Sequence, residues 1–143
     1  MKFSDGLWLN QRGFDVSYAV QAYDVTTTKN SIKIFATSSA IWNRAMTLGG
    51  VAFEITYTAV APDMIRVHIC HHKGGLQNKP QFELNLPEGY VPDDIHEEDS
   101  FVSMTAGHTT LKIKKGTDGW DVSFSREGKL LAGGGWRSTS YIQ

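Results

Sequence analysis

Cysteine, proline, long apolar runs and an excess of charge of either sign are all scarce in this 143-residue chain, and each scarcity removes a class of function. The single Cys70 excludes an internal disulfide framework and suits a reducing compartment. No apolar run approaches the roughly 20 residues of a membrane span. A net charge of −1 gives nothing to steer the protein toward nucleic acid or an anionic membrane surface. Ser4, Asp5 and Gly6 interrupt any basic-then-apolar secretory pattern at the start. A cytoplasmic protein with no nucleic-acid and no membrane partner is the expectation. Helical periodicity is scarce too: the best candidate, Ile41-Trp42-Asn43-Arg44-Ala45-Met46, is too short to stand as a helix.

What is abundant is strand signal. The stretch 17–25 is rich in β-formers, with Tyr18, Val20 and Ala22 as its expected buried face. Ile32-Lys33-Ile34-Phe35-Ala36 follows after a turn at Lys29-Asn30-Ser31. Val51, Phe53, Ile55 and Tyr57 alternate with Glu54, Thr56 and Thr58, the period of a half-buried strand. Ala61-Pro62-Asp63 has turn chemistry, and the strand after it points Ile65, Val67 and Ile69 inward. Further strands are expected over 101–104, 111–114, 120–125 and 129–131, with Asp118-Gly119 and Glu127-Gly128 at hairpin positions. Short strands at regular spacing predict an all-β antiparallel sandwich with little or no helix, built as one domain over 1–143. Residues 74–98 are the exception. They hold three of the four prolines and the acids Asp93, Asp94, Glu97 and Glu98, and read as a long loop or edge segment.

Each chemical constellation has a plainer reading beside it. His68, Cys70 and His72 share one face of a strand and are residue types that bind zinc, but ligands on one straight strand diverge, so no metal is expected. The acids Asp93, Asp94, Glu97, Glu98 and Asp99 look like material for a glycosidase pair. A catalytic acid needs burial or a fixed like charge, however, and an exposed acidic run supplies neither. Gly133-Gly134-Gly135 lacks the Lys-Ser/Thr and helix start of a phosphate loop. No nucleophile elbow or triad is recognisable. No catalytic residue and no cofactor are therefore assigned. Trp8 and Trp120 read as core, whereas Trp42 and Trp136 lie near turns and are the carbohydrate-contact candidates, since sugar C–H faces stack on indoles.

Taken in order, several segments carry a family resemblance: Ser4-Asp5-Gly6 with Trp8-Leu9, the Arg44–Leu48 segment, the strand 65–72, Gly74-Gly75-Leu76-Gln77-Asn78 and Leu84-Asn85. Beyond Asp99 it rests on Leu111-Lys112-Ile113-Lys114-Lys115-Gly116 and the hairpin 120–128. Together they resemble the opening of bacterial α-xylosidases of glycoside hydrolase family 31. The resemblance implies an N-terminal β-sandwich of the galactose-mutarotase-like type, followed in such enzymes by a (β/α)₈ barrel that holds both catalytic aspartates. Neither aspartate maps onto this chain, and a barrel alone takes about 250 residues. The implied role is non-catalytic: packing on the chain's own downstream catalytic barrel and helping to shape a pocket for an α-linked saccharide. A homo-oligomer is also implied, with self-association through an open strand edge or disorder over 133–143. The alternative is a free-standing carbohydrate-binding β-sandwich module.

Overall fold

The computed structural model describes residues 3–5, 9–71 and 85–143. Among them the secondary structure is all β, apart from a 3₁₀ turn over Arg44–Leu48 whose first amide is capped by the Asn43 side chain (Ala45 N to Asn43 Oδ1, 3.0 Å). Two short strands, β1 (Ser4–Asp5) and β2 (Leu9–Asn10), pair at the start of the chain. Two meanders then build the body. The first sheet has the order β4 (Gln21–Thr27), β5 (Ser31–Thr37), β6 (Ala52–Ala61), β7 (Met64–Cys70). The second runs β12 (Lys129–Gly134), β11 (Val122–Arg126), β10 (Thr109–Lys114), β9 (Phe101–Ala106), β8 (Asp94–Glu97). Every pairing is antiparallel between chain neighbours. Short turns make most of these connections, while longer links over residues 38–51, which hold the 3₁₀ turn, and 115–121 join β5 to β6 and β10 to β11.

The core lies between the two sheets. Ile32, Ile34 and Ala36 of β5 sit opposite Tyr57, Ile55 and Phe53 of β6, and all are buried. From the other sheet, Val102 and Met104 of β9 face Ile113 and Leu111 of β10, with Val122 beside them on β11. Inward apolar residues alternate with outward polar ones on both sheets, which is what makes two sheets bury each other. Trp120, expected in the core, is buried there; Trp8 lies outside the described residues.

The expected strand over 17–25 divides. Its first part is β3 (Val16–Tyr18), which pairs with β13 (Ser140–Ile142), and the chain then crosses to the first sheet as β4. The β3–β13 pairing, prolonged by mutual backbone bonds of Asp15 and Gln143, gives regular structure to the end of the 133–143 stretch, for which disorder is one of the two expectations and self-association through an open edge the other. On β4 an extra residue, Tyr23, is accommodated between Ala22 (opposite Ala36) and Asp24 (opposite Phe35). Ahead of the bulge, the crossing from β3 to β4 breaks the expected alternation, so the buried residues are Ala19, Gln21 and Ala22, while Tyr18 and Val20 are only half-buried. The Gln21 side chain is satisfied by the Ile41 backbone N–H at 2.7 Å.

Turn chemistry fixes the hairpins. Glu127 and Gly128 both take positive φ (50° and 80°), the form that matches strand twist in a two-residue loop. Pro62 precedes Asp63, whose φ of 60° is accessible to an aspartate. Within the 74–98 segment, β8 forms the edge of the second sheet, and residues 74–84 lie outside the described residues.

Candidate functional site

Three features stand apart from the packed core. The first is an apolar groove where the sandwich stays open. On β7, Val67 and Ile69 sit opposite Tyr57 and Ile55 and so belong to the inner face, as their alternation predicts. Yet they are 43% and 50% exposed, and only Ile65 is partly buried against the core. The reason is topological: among the described residues β7 and β12 are both sheet edges. Between them runs a cavity of about 260 Å³, lined by Tyr57, Val67, Ile69, Trp120, Val122 and Phe124 among others. Burial raises the Tyr57 phenol far above its ordinary value, so it remains a neutral part of that wall.

The second feature joins the turns of the two sheets. Asp63, in the β6–β7 turn, accepts the His108 backbone N–H on Oδ1 at 2.6 Å and the Thr109 hydroxyl at 3.3 Å. Its Oδ2 lies 3.4 Å from His108 Nδ1 and 3.6 Å from Arg126 Nη2. The backbone bond from His108, aided by the side chains of His108 and Arg126, outweighs partial desolvation and holds the carboxyl below the usual aspartate value. Asp93 accepts the Gly107 N–H at 2.6 Å in the same turn. A carboxylate held ionised this firmly is an acceptor and not a proton donor, so the node is a structural clasp. In the sequence Asp63 read only as a turn residue; nothing local in it marked the link to residues 45 positions away.

The third feature is the candidate aromatics. Trp42 precedes the 3₁₀ turn and is 67% exposed, while Trp136 follows β12 and is 68% exposed. The Arg137 guanidinium covers the Trp136 ring at 4.2 Å, and lies 5.1 Å from the Tyr18 ring.

The acidic run is engaged locally. Glu97 pairs with Lys115 at 2.7 Å, and Glu98 lies 2.9 Å from His96. Among the described residues no three His, Cys, Asp or Glu side chains come together as a metal site; His72 lies outside them. No helix among them is long and apolar enough to cross a membrane.

No family model matches the chain. It is 26% identical over 153 aligned residues, 99% of its length, to an α-xylosidase of Emericella nidulans. Over 131 residues, 92% of its length, it is 27% identical to the α-xylosidase XylQ of Lactiplantibacillus pentosus. The chain spans only 19% and 17% of those two proteins. Along nearly its whole length, then, this chain is similar to less than a fifth of an α-xylosidase, in agreement with the resemblance carried by its sequence.

Proposed function

We propose that this chain is the non-catalytic N-terminal β-sandwich domain of a retaining α-glycosidase of family 31, of α-xylosidase or α-glucosidase type. In this reading it packs on a downstream catalytic (β/α)₈ barrel and helps to shape the pocket for an α-linked saccharide. The open groove between β7 and β12 carries the proposal: an apolar surface of that kind, left uncovered by the described residues of the sandwich, suits a neighbouring domain. The small share of each α-xylosidase that the chain matches supports a large missing neighbour. The lone Cys70 supports a cytoplasmic setting, and the exposed Leu130 and Leu131 on edge strand β12 support a homo-oligomer.

The test is a chimera in which this chain replaces its matched stretch of the Lactiplantibacillus pentosus α-xylosidase. The chimera is expected to fold and to hydrolyse an aryl α-xyloside, while the isolated chain does not. Ile69→Glu should lower the chimera's melting temperature and kcat/KM but leave the isolated sandwich nearly unchanged, because Ile69 is already half exposed there. An Ile69→Glu chimera indistinguishable from its parent would sink the docking reading, and turnover by the purified chain alone would sink the non-catalytic one. The second reading, a free-standing carbohydrate-binding module using Trp42 and Trp136, is favoured by the exposure of both side chains, although the Arg137 guanidinium already covers the Trp136 ring.

A further inference from the structure

The outer face of the first sheet holds a feature unconnected with the groove. Strand register places Asp24 opposite Phe35, and Phe35 opposite Glu54. Residues directly opposite across antiparallel strands point the same way, so these form one row: carboxylate, aromatic ring, carboxylate. The next row, in the same register, is Thr26, Lys33, Thr56 and His68. The Tyr23 bulge creates this arrangement, since with Tyr23 paired regularly to Phe35 Asp24 would fall opposite Ile34, on the inner face of the sheet. The two rows line a hollow of about 170 Å³, with Phe35, 40% exposed, in its wall. Among the described residues the side chains of Asp24, Lys33 and Glu54 form no hydrogen bond or ion pair, although they stand on neighbouring strands.

We infer that this hollow is a binding subsite for a neutral pyranose saccharide. The chemistry separates this ligand from its rivals. An anion would face two carboxylates against one lysine. A divalent cation needs oxygens converging within about 2.6 Å of one point. Phe35 instead holds the two carboxylates two strand spacings apart, about 10 Å. A pyranose suits both constraints. Its apolar C–H face lies on the Phe35 ring, and its equatorial hydroxyls reach outward to donate to Asp24 and Glu54 and to accept from Lys33. Charge-assisted bonds of that kind are the stronger class, and the ring supplies apolar area and orientation. The threonines add hydroxyls at the rim. The subsite requires neither a catalytic barrel nor an occupied groove, so it stands or falls apart from the docking reading.

The experiment is titration of the isotope-labelled chain with methyl α-D-xylopyranoside, methyl α-D-glucopyranoside and maltotriose, followed by amide chemical shifts. At least one probe is expected to shift Thr26, Lys33, Phe35 and Thr56 with millimolar affinity. Phe35→Thr, a substitution suited to an exposed strand position, should weaken that binding about tenfold, equivalent to 1.4 kcal/mol. Glu54→Gln, which keeps shape and removes charge, should weaken it several-fold and keeps the test informative if the Phe35 variant folds poorly. Absence of shifts at tens of millimolar for all three sugars overturns the inference. So do shifts that survive Glu54→Gln unchanged, or that centre on Trp42 and Trp136 and vanish in Trp42→Ala or Trp136→Ala.

Discussion

The Asp63 carboxylate and the His108 backbone N–H meet at 2.6 Å, and through that bond the β6–β7 turn of one sheet is fastened to the β9–β10 turn of the other. The Asp63 N–H completes the fastening by donating to the Ala106 carbonyl at 3.0 Å. Two meanders stacked face to face share only side-chain packing along most of their length. A polar clasp at one end fixes how far one sheet slides on the other, which apolar contact, being non-directional, leaves loosely specified.

The clasp makes stability depend on pH in a definite direction. Its folded-state Asp63 pKa lies below the ordinary aspartate value, so its contribution is fully present above that value and fades as pH falls through the lowered one. Asp63→Asn keeps the size of the side chain and tolerates positive φ but removes the charge. Melting curves of the two proteins should differ by a constant few degrees near neutrality and converge in strong acid. A gap that stays constant down to the lowest pH at which both fold would show that ionisation of Asp63 has no part in the clasp.

Gly107 is the residue that permits the approach. Its φ is +62°, and an added Cβ would stand 2.9 Å from Asp63 Oδ1 and 3.1 Å from the Asp63 backbone nitrogen. Gly89 has a similar φ of +71° with open space around it. Both alanine variants share the cost of left-handed backbone, but only Gly107→Ala must displace backbone as well. Thermal unfolding should therefore find Gly107→Ala clearly less stable than Gly89→Ala; equal melting temperatures would mean that the turns are free to part.

Alternation made the interior of the fold readable. Phe53, Ile55 and Tyr57 declared their strand and their face, because a period of two leaves only one side to bury. It said less at the edges. Val67 and Ile69 alternate just as cleanly, yet whether an inward residue is covered depends on which strand lies across from it, and that is a property of the other sheet. The Tyr23 bulge and the pairing of β3 with β13 were hidden for a related reason: both are decided by a partner strand distant in sequence or by one extra residue. The aromatic candidates show the same division. Trp42 and Trp136 were legible as exposed because they sit beside turns, whereas Phe35, inside an apolar-looking strand, acquires its setting only from the acids that register brings beside it.

That distinction between inward and covered can be measured. Phe53 and Ile69 both point to the inner side, but Phe53 is buried among β5 and β6 side chains and Ile69 borders the groove. Phe53→Ala should cost about 3–5 kcal/mol in urea unfolding, through lost burial and the cavity left behind. Ile69→Ala should cost less than about 1 kcal/mol. Similar losses for the two would mean that the groove closes over Ile69 in solution.

The geometry of edge strand β12 predicts how the chain meets its own copies. Leu130 and Leu131 are exposed, and among the described residues no strand pairs with the outer side of β12. Phe124 lies opposite Ala132 and Ser125 opposite Leu130, so Leu131 is the extra residue of a bulge. A bulge bends an edge away from flat pairing, while exposed leucines favour association; the two act against each other. The expected outcome is weak, concentration-dependent dimerisation by sedimentation, with apolar contact contributing more than backbone pairing. Leu131→Lys, which places a charge at the bulge, should shift the equilibrium toward monomer without altering the melting temperature. A wild-type chain that stays monomeric across the full concentration range would remove the self-association reading, and one whose dimer is untouched by Leu131→Lys would move the contact to another face.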